Sequence, residues 1–171
     1  MLTSAIAGER NAFAELVRRH TPIAHRTAVL LGAGSDADDV VQEAFVKAYR
    51  GLQRFRVGAP FRPWLLRIVA NETSNLQRSV RRRRVREGVD EPLPHVVDDP
   101  ADSAISRDRQ RLLRQAVQQL PSGLQMVVTC RYLLDLDEAE TAQVLGIARG
   151  TVKSRNHRAL ARLRTSGVRS D

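Results

Sequence analysis

Glu138-Ala139-Glu140-Thr141-Ala142-Gln143-Val144-Leu145-Gly146-Ile147-Ala148-Arg149-Gly150-Thr151-Val152-Lys153-Ser154-Arg155-Asn156-His157 has the layout of a helix-turn-helix. Small Ala142 stands where two helices would cross. Gly146 follows four residues later, where the turn wants a positive φ, and Ile147 and Val152 can lock the second helix onto the first. That helix is predicted to continue to about Arg164 with Val152, Ala159, Leu160 and Leu163 facing inward. Lys153, Ser154, His157 and Arg158 then face outward near its N-terminal half, the part that enters a DNA major groove, while Thr151 and Arg155 suit the flanking phosphates. Helix pairs with a glycine turn are common; the basic outward face is what points to DNA. Upstream, Ile105, Leu112, Leu113, Ala116, Val117 and Leu120 mark a helix ended by Pro121. Leu124, Val127, Val128, Arg131 and Tyr132 mark the next, with Cys130 among them as a small buried residue.

The whole chain fits this helical reading. Its 171 residues allow one compact domain or two small ones, and 42% hydrophobic residues with only 4% aromatic favour helical layers over an aromatic-rich β-sandwich. There are 28 basic residues, all arginine except Lys47 and Lys153, against 19 acidic ones, and the net charge of +9 points to a polyanion partner. The excess is uneven. Residues 1–60 carry 8 basic and 6 acidic groups, 61–88 carry 8 and 2, 89–106 carry 0 and 5, and 107–171 carry 12 and 6. The acidic stretch contains Pro92, Pro94 and Pro100 and no apolar periodicity, so it reads as a linker between two basic helical blocks rather than a surface loop. The expected architecture is all-α: a helical bundle over 1–87, an acidic extended linker over 88–104, and a helix-turn-helix bundle over 105–171.

Other classes are disfavoured. No stretch approaches the ~20 apolar residues of a membrane span, the N-terminus lacks the pattern of a signal peptide, and the expected location is the cytoplasm without membrane insertion. One cysteine and four scattered histidines offer neither an internal disulfide nor metal-ligand spacing, so no metal and no cofactor are expected.

In the N-terminal half, Phe13, Leu16 and Val17 recur at helical spacing, and Thr21-Pro22 reads as an N-cap and first position of a second helix running to about Leu31. After Gly32-Ala33-Gly34, Ser35 or Asp36 can cap a third helix with an apolar stripe of Val41, Ala44, Phe45, Ala48 and Leu52. Opposite lie Asp39, Gln42, Glu43 and Lys47. Acids in a first turn suit the helix dipole, which accounts for Asp36, Asp38 and Asp39 but leaves Gln42 and Glu43 as a polar patch open to a protein partner with basic groups. Phe55 to Phe61 reads as a loop, and a long helix starts near Pro63. Trp64, Ile68 and Asn75 share one strip of it, and Arg67, Asn71, Ser74 and Arg78 share another. Trp64 suits a core anchor, but that leaves unexplained an Arg and Asn strip ending in Arg81-Arg82-Arg83-Arg84 and Arg86, whose mutual repulsion a phosphate backbone would relieve.

Three motifs in order, Asp36-Ala37-Asp38-Asp39-Val40-Val41-Gln42-Glu43-Ala44-Phe45, Phe61-Arg62-Pro63-Trp64-Leu65-Leu66-Arg67-Ile68-Val69-Ala70-Asn71, and Gly150-Thr151-Val152-Lys153-Ser154-Arg155 through Arg158-Ala159, resemble bacterial sigma factors of the extracytoplasmic-function group. The resemblance covers roughly residues 9–165. It implies a non-enzymatic initiation subunit of RNA polymerase. Asp39, Gln42 and Glu43 match positions that dock on the clamp helices of the largest polymerase subunit. Phe61, Arg62, Trp64, Arg67, Asn71, Arg78, Arg81 and Arg82 lie in the part that reads the minus-ten promoter element and holds a flipped base. Arg149, Thr151, Lys153, Ser154, Arg155, His157 and Arg158 lie where the family meets the minus-thirty-five element. The family further implies the flap of the second polymerase subunit as a contact, a linker threading towards the RNA exit channel where acidic residues could imitate RNA, and commonly an anti-sigma factor, which no residue here identifies.

Two positions depart from the family pattern. Asn156 stands where a leucine is usual, and Glu140-Thr141-Ala142 where Glu-Ile-Ala is usual; both put polar groups in apolar places. Two other readings compete. A free-standing helix-turn-helix regulator would leave the α-helical Asp39/Gln42/Glu43 face and the Trp64–Asn71 strip idle. A metal-dependent nuclease built on Asp36, Asp38, Asp39 and Glu43 would lack a basic or histidine partner near its acids.

Overall fold

A computed structural model describes residues 2–8, 10–88, 112–113 and 115–165. Every regular element among them is helical. The chain divides into two compact units between Pro94 and His95. That point falls inside the expected linker, whose residues beyond Gly88 lie outside those described, as does Ile105.

The N-terminal unit comprises α1 (Leu2–Ile6), α2 (Arg10–Leu30), α3 (Ala37–Gly51) and α4 (Phe61–Glu87). α2, α3 and α4 pack on one another in pairs and α1 packs on α2. Ala24, Ala28, Ala44 and Ala48 are all completely buried, so the helices approach closely at small side chains, while Leu16, Leu65, Leu66 and Val69 fill the space between. The expected break at Thr21-Pro22 does not occur. Pro22 lies inside α2, exposed, on a helix whose flanks Leu16 and Ala24 are both buried. Proline removes one backbone donor and an interior one costs about 3 kcal/mol, but the solvent side leaves the freed Arg18 carbonyl to water, and burial on both sides of the proline outweighs the cost. Thr21 Oγ1 donates instead to the Val17 carbonyl at 2.7 Å.

α3 starts differently from expectation as well. Asp36 is its N-cap by position but makes no capping hydrogen bond; a 3₁₀ turn, Gly34–Asp36, leads into the helix, with Asp36 N–H donating to the Ala33 carbonyl at 3.1 Å. The predicted stripe of Val41, Ala44, Phe45, Ala48 and Leu52 is buried throughout. α4 begins at Phe61, two residues before Pro63, which sits in the first turn where its missing N–H is not needed. It ends at Gly88, left-handed at φ +67, whose N–H caps the Arg84 and Val85 carbonyls. Its last fully buried residue is Thr73, so the arginine-rich final turns extend past the core.

In the C-terminal unit, helical residues at 112–113 and 115–118 lead to Leu120. Val117 and Leu120 are buried, while Leu112 and Leu113 remain exposed. α5 (Ser122–Val128) runs into a π turn, Thr129–Leu133, then α6 (Glu138–Leu145) and α7 (Arg149–Thr165). Val128 and Tyr132 are four residues apart and would share a face in an unbroken α-helix; the wider turn rotates Tyr132 out to 53% exposure. Cys130 on the same turn is buried, and burial pushes its thiol pKa up to about 12. α6 is started by a capping box: the Asp137 carboxylate accepts from Glu140 N–H at 2.8 Å and the Glu140 carboxylate accepts from Asp137 N–H at 3.0 Å. Gly146 at φ +66 makes the predicted turn, and Val127, Ala142 and Val152 close the helix pair beneath Leu145 and Ile147.

The two departures from the family pattern both leave a buried polar atom unpartnered, Thr141 Oγ1 and Asn156 Oδ1. Thr27 and Thr73, equally buried in α2 and α4, each donate to a carbonyl four residues back, at 2.7 and 2.9 Å. An unpaired buried hydroxyl costs about 1–3 kcal/mol. Thr141→Val keeps the shape and removes the hydroxyl, and is expected to stabilise the C-terminal unit by about 1–2 kcal/mol. Far-UV circular dichroism melting measures this, with fluorescence of Trp64, the chain's single tryptophan, following the N-terminal unit separately.

Candidate nucleic-acid and protein-binding surfaces

On α3, burial of one stripe turns Asp39, Gln42 and Glu43 outward together, and all three are exposed. Lys47 is drawn to one side of this patch: its Nζ lies 2.7 Å from Glu72 Oε2 on α4 and 3.7 Å from Glu43 Oε1. The hydrogen bond with Glu72, whose side chain is only 13% exposed, raises the Lys47 pKa. The patch is therefore acidic and amide-rich with its one lysine occupied at the edge. At the start of α3, Asp38 Oδ1 lies 3.3 Å from His25 Nε2 of α2. The acids at this helix start therefore do have a histidine and a lysine nearby, contrary to expectation; among the described residues no three His, Cys, Asp or Glu side chains gather where they could hold a metal ion.

The second surface is built on an aromatic cluster. Trp64 packs edge-on against Phe55 with centroids 4.8 Å apart, tilts against Phe61 at 5.6 Å, and Phe61 in turn meets His20 at 5.1 Å. A Cβ at Gly51 would lie 3.2 Å from the Trp64 ring, so glycine there lets the indole lie close to α3. Phe55 and Phe61 are buried, while Trp64 and His20 keep partial exposure. Trp64 thus joins core and surface, and Phe61 stands behind it. Arg62 is half-buried. Along the next turns of α4, Arg67, Asn71, Arg78, Arg81 and Arg82 are exposed. Arg78 donates to Asn75 Oδ1 at 3.2 Å and to the Ser74 carbonyl at 3.3 Å, which lays its guanidinium along the helix.

The third surface is α7. Arg149, Lys153, Ser154, His157 and Arg158 are exposed and Thr151 and Arg155 half-buried, opposite buried Val152, Ala159 and Leu163. Arg155 lies over Gly123 of α5, where a Cβ would meet its guanidinium at 3.3 Å. With Arg158 and Arg162 it lines an open groove of about 500 Å³ beside Pro121.

Comparison with known proteins assigns both units. Residues 16–84 match the family model for sigma-70 region 2, and residues 110–163 that for sigma-70 region 4. The ECF RNA polymerase sigma factor SigM of Mycobacterium tuberculosis is 38% identical over 164 residues, covering 95% of this chain and 81% of its own. This chain is an ECF RNA polymerase sigma factor. The Escherichia coli K12 sigma-E factor is 33% identical, with 89% of this chain and 84% of the relative covered. Among solved structures, CnrH in complex with the cytosolic domain of CnrY superposes with a TM-score of 0.70 at 28% identity, covering 96% of this chain and 92% of that one. The Bartonella quintana sigma factor RpoE, in complex with the anti-sigma factor NepR, gives 0.75 at 25%, covering 91% and 96%. No helix among this sigma factor's described residues is long and apolar enough to cross a membrane.

Sequence reasoning passed over His20 and Glu72, and it counted Tyr132 with the apolar stripe of its helix, whereas the π turn exposes it. Nothing local marks the first, since its neighbours come from α4. Glu72 and Lys47 are 25 positions apart and meet only in the packed bundle. Burial lowers the His20 pKa, and the Arg19 and Arg62 charges lower it further. The folded unit therefore holds a neutral imidazole while the unfolded chain protonates near about pH 6.5, so stability present above that pH is lost as pH falls through it. Between pH 7.5 and 5.5 the melting temperature read by Trp64 fluorescence is expected to fall more for the wild type than for His20→Gln; equal pH dependence counts against this assignment.

Proposed function

We propose that this sigma factor binds core RNA polymerase through the α3 face, directs it to promoters by reading a minus-ten element with α4 and a minus-thirty-five element with α7, and performs no chemistry itself. The observation that carries this is the distribution of surfaces: an acidic amide patch on one helix, an aromatic and arginine strip on the next, and a basic helix-turn-helix in the second unit, in a chain of ECF sigma factor family. Residues 1–87 and 105–171 are the two binding units and 88–104 the acidic tether between them.

Physical chemistry supports each role. Asp39, Gln42 and Glu43 offer carboxylates and an amide to a basic partner surface such as the clamp helices of the largest polymerase subunit. A flipped base needs an aromatic wall and an amide to read its edge, and extruding it costs a few kcal/mol that stacking of about 1–3 kcal/mol per base can return. Trp64 supplies the wall and Asn71 the amide, with Phe61 backing the wall and Arg62, Arg67, Arg78, Arg81 and Arg82 meeting the phosphates. Lys153, Ser154, His157 and Arg158 face the base edges of a duplex, and Arg149, Thr151 and Arg155 its backbone. Each DNA contact alone is weak. Holding both on one polymerase makes the second contact effectively intramolecular. The flap of the second polymerase subunit and an anti-sigma factor are further partners, the latter in keeping with the NepR complex of the Bartonella relative. The site of action is the cytoplasm.

Run-off transcription with purified core polymerase and a promoter library tests the proposal. The wild type is expected to yield promoter-specific transcripts. Tight duplex binding without any such product would favour an independent DNA-binding regulator. Gln42→Ala with Glu43→Ala should weaken polymerase binding in a pull-down while circular dichroism stays unchanged; unaltered affinity would remove the docking assignment. Arg158→Ala should weaken binding to the preferred minus-thirty-five duplex by about 1–3 kcal/mol if it reads a base. An equal loss on all sequences makes it a phosphate contact.

A further inference from the structure

Asn156 sits on the inward side of α7, between buried Val152 and Ala159. Its Nδ2 donates to the Tyr132 phenolic oxygen at 3.1 Å, and its Oδ1 is buried without a partner. The amide thus makes a single side-chain contact and leaves an unpaired carbonyl, an arrangement that burdens the fold. What it secures is Tyr132. The π turn has rotated that ring out to 53% exposure, and Asn156 fixes its tip. Because the phenolic oxygen accepts from Asn156, its own proton remains available for donation outward.

The position of that hydroxyl matters. Asn156 is one helical turn from Lys153 and next to His157, both exposed on the face assigned to DNA. A helix seated in a major groove about 12 Å wide has a phosphate backbone along each flank. Lys153 and Arg155, two residues apart, leave α7 on opposite flanks. Arg155 occupies one, over Gly123; at about 100° per residue Asn156, to which the Tyr132 hydroxyl is bonded, falls nearer the Lys153 side than the Arg155 side. Tyrosine is among the ordinary phosphate donors of protein–DNA interfaces.

We propose that Tyr132 donates a hydrogen bond to a DNA backbone phosphate beside the minus-thirty-five element, and that Asn156 is the positioning residue that holds it there. The inference rests on the assignment of α7 to that duplex. In the test, wild-type holoenzyme selects a duplex from a library randomised across the minus-thirty-five element. The full chain is then titrated with the selected duplex and a scrambled one at several salt concentrations. Tyr132→Phe is expected to weaken both complexes about three- to tenfold without changing the salt slope, because a neutral hydroxyl displaces no counterion. Asn156→Leu should give the same loss while raising the melting temperature, and the double variant should lose no more than either alone. Falling affinity with rising stability is a pairing that a merely structural role does not produce. Wild-type affinity in Tyr132→Phe, or losses that add in the double variant, would overturn the proposal. A wild type that selects no duplex overturns the assignment of α7 and the proposal with it.

Discussion

Burial of one apolar stripe per helix is the constraint on which the remaining features depend. α3 places Val41, Ala44, Phe45 and Ala48 against its neighbours, which fixes the rotation of the helix about its axis and sends Asp39, Gln42 and Glu43 to solvent together. α7 does the same through Val152, Ala159 and Leu163, and its basic face follows. At about 25 cal/mol per Å² of apolar surface removed from water, even one misrotated Val or Leu costs on the order of 1.5–3 kcal/mol. Orientation of these exposed polar and basic faces is therefore held by the core and not by the polar groups themselves. The alanine seam between α2, α3 and α4 adds closeness to orientation, since small side chains set the distance between the acidic patch and the aromatic strip.

The two units meet this constraint with different reserves. The N-terminal one satisfies its buried threonines and links α3 to α4 through Lys47 and the nearly buried Glu72. The C-terminal one divides its apolar contacts into smaller clusters, contains a π turn, and carries the unpaired Thr141 and Asn156 atoms. Its ordering depends more on local devices: the Asp137–Glu140 capping box and the left-handed Gly146. Polar atoms buried without partners narrow the margin of a small domain, where a few kcal/mol is a large share of the total.

Periodicity made the sequence legible wherever one helix face is buried and the other wet. The α3 stripe could be read directly, as could Val152, Ala159 and Leu163 on α7 and the glycine turn between α6 and α7, while Leu160, expected inward with them, is only half-buried. Pro22 misled because its signal is local and the burial of Leu16 and Ala24 that overrides it is tertiary. Ser35 and Asp36 have the chemistry of a cap, but the backbone turn at Gly34 makes the connection instead. The box formed by Asp137 and Glu140 is visible in the sequence as an acid followed three residues later by glutamate, a weaker signal than the glycine turn beside it. The π turn has no sequence signature, so the exposure of Tyr132 could not be anticipated, and neither could its bond to Asn156, 24 residues on.

Cys130 has a consequence for how this sigma factor can be informed of its surroundings. Thiol oxidation proceeds through the thiolate and needs access to the oxidant. The chain's only cysteine is buried, with its pKa pushed up to about 12, so at neutral pH almost none of it is thiolate. Burial and the raised pKa together make the Cys130 thiol a poor nucleophile towards peroxide or a disulfide in the folded unit.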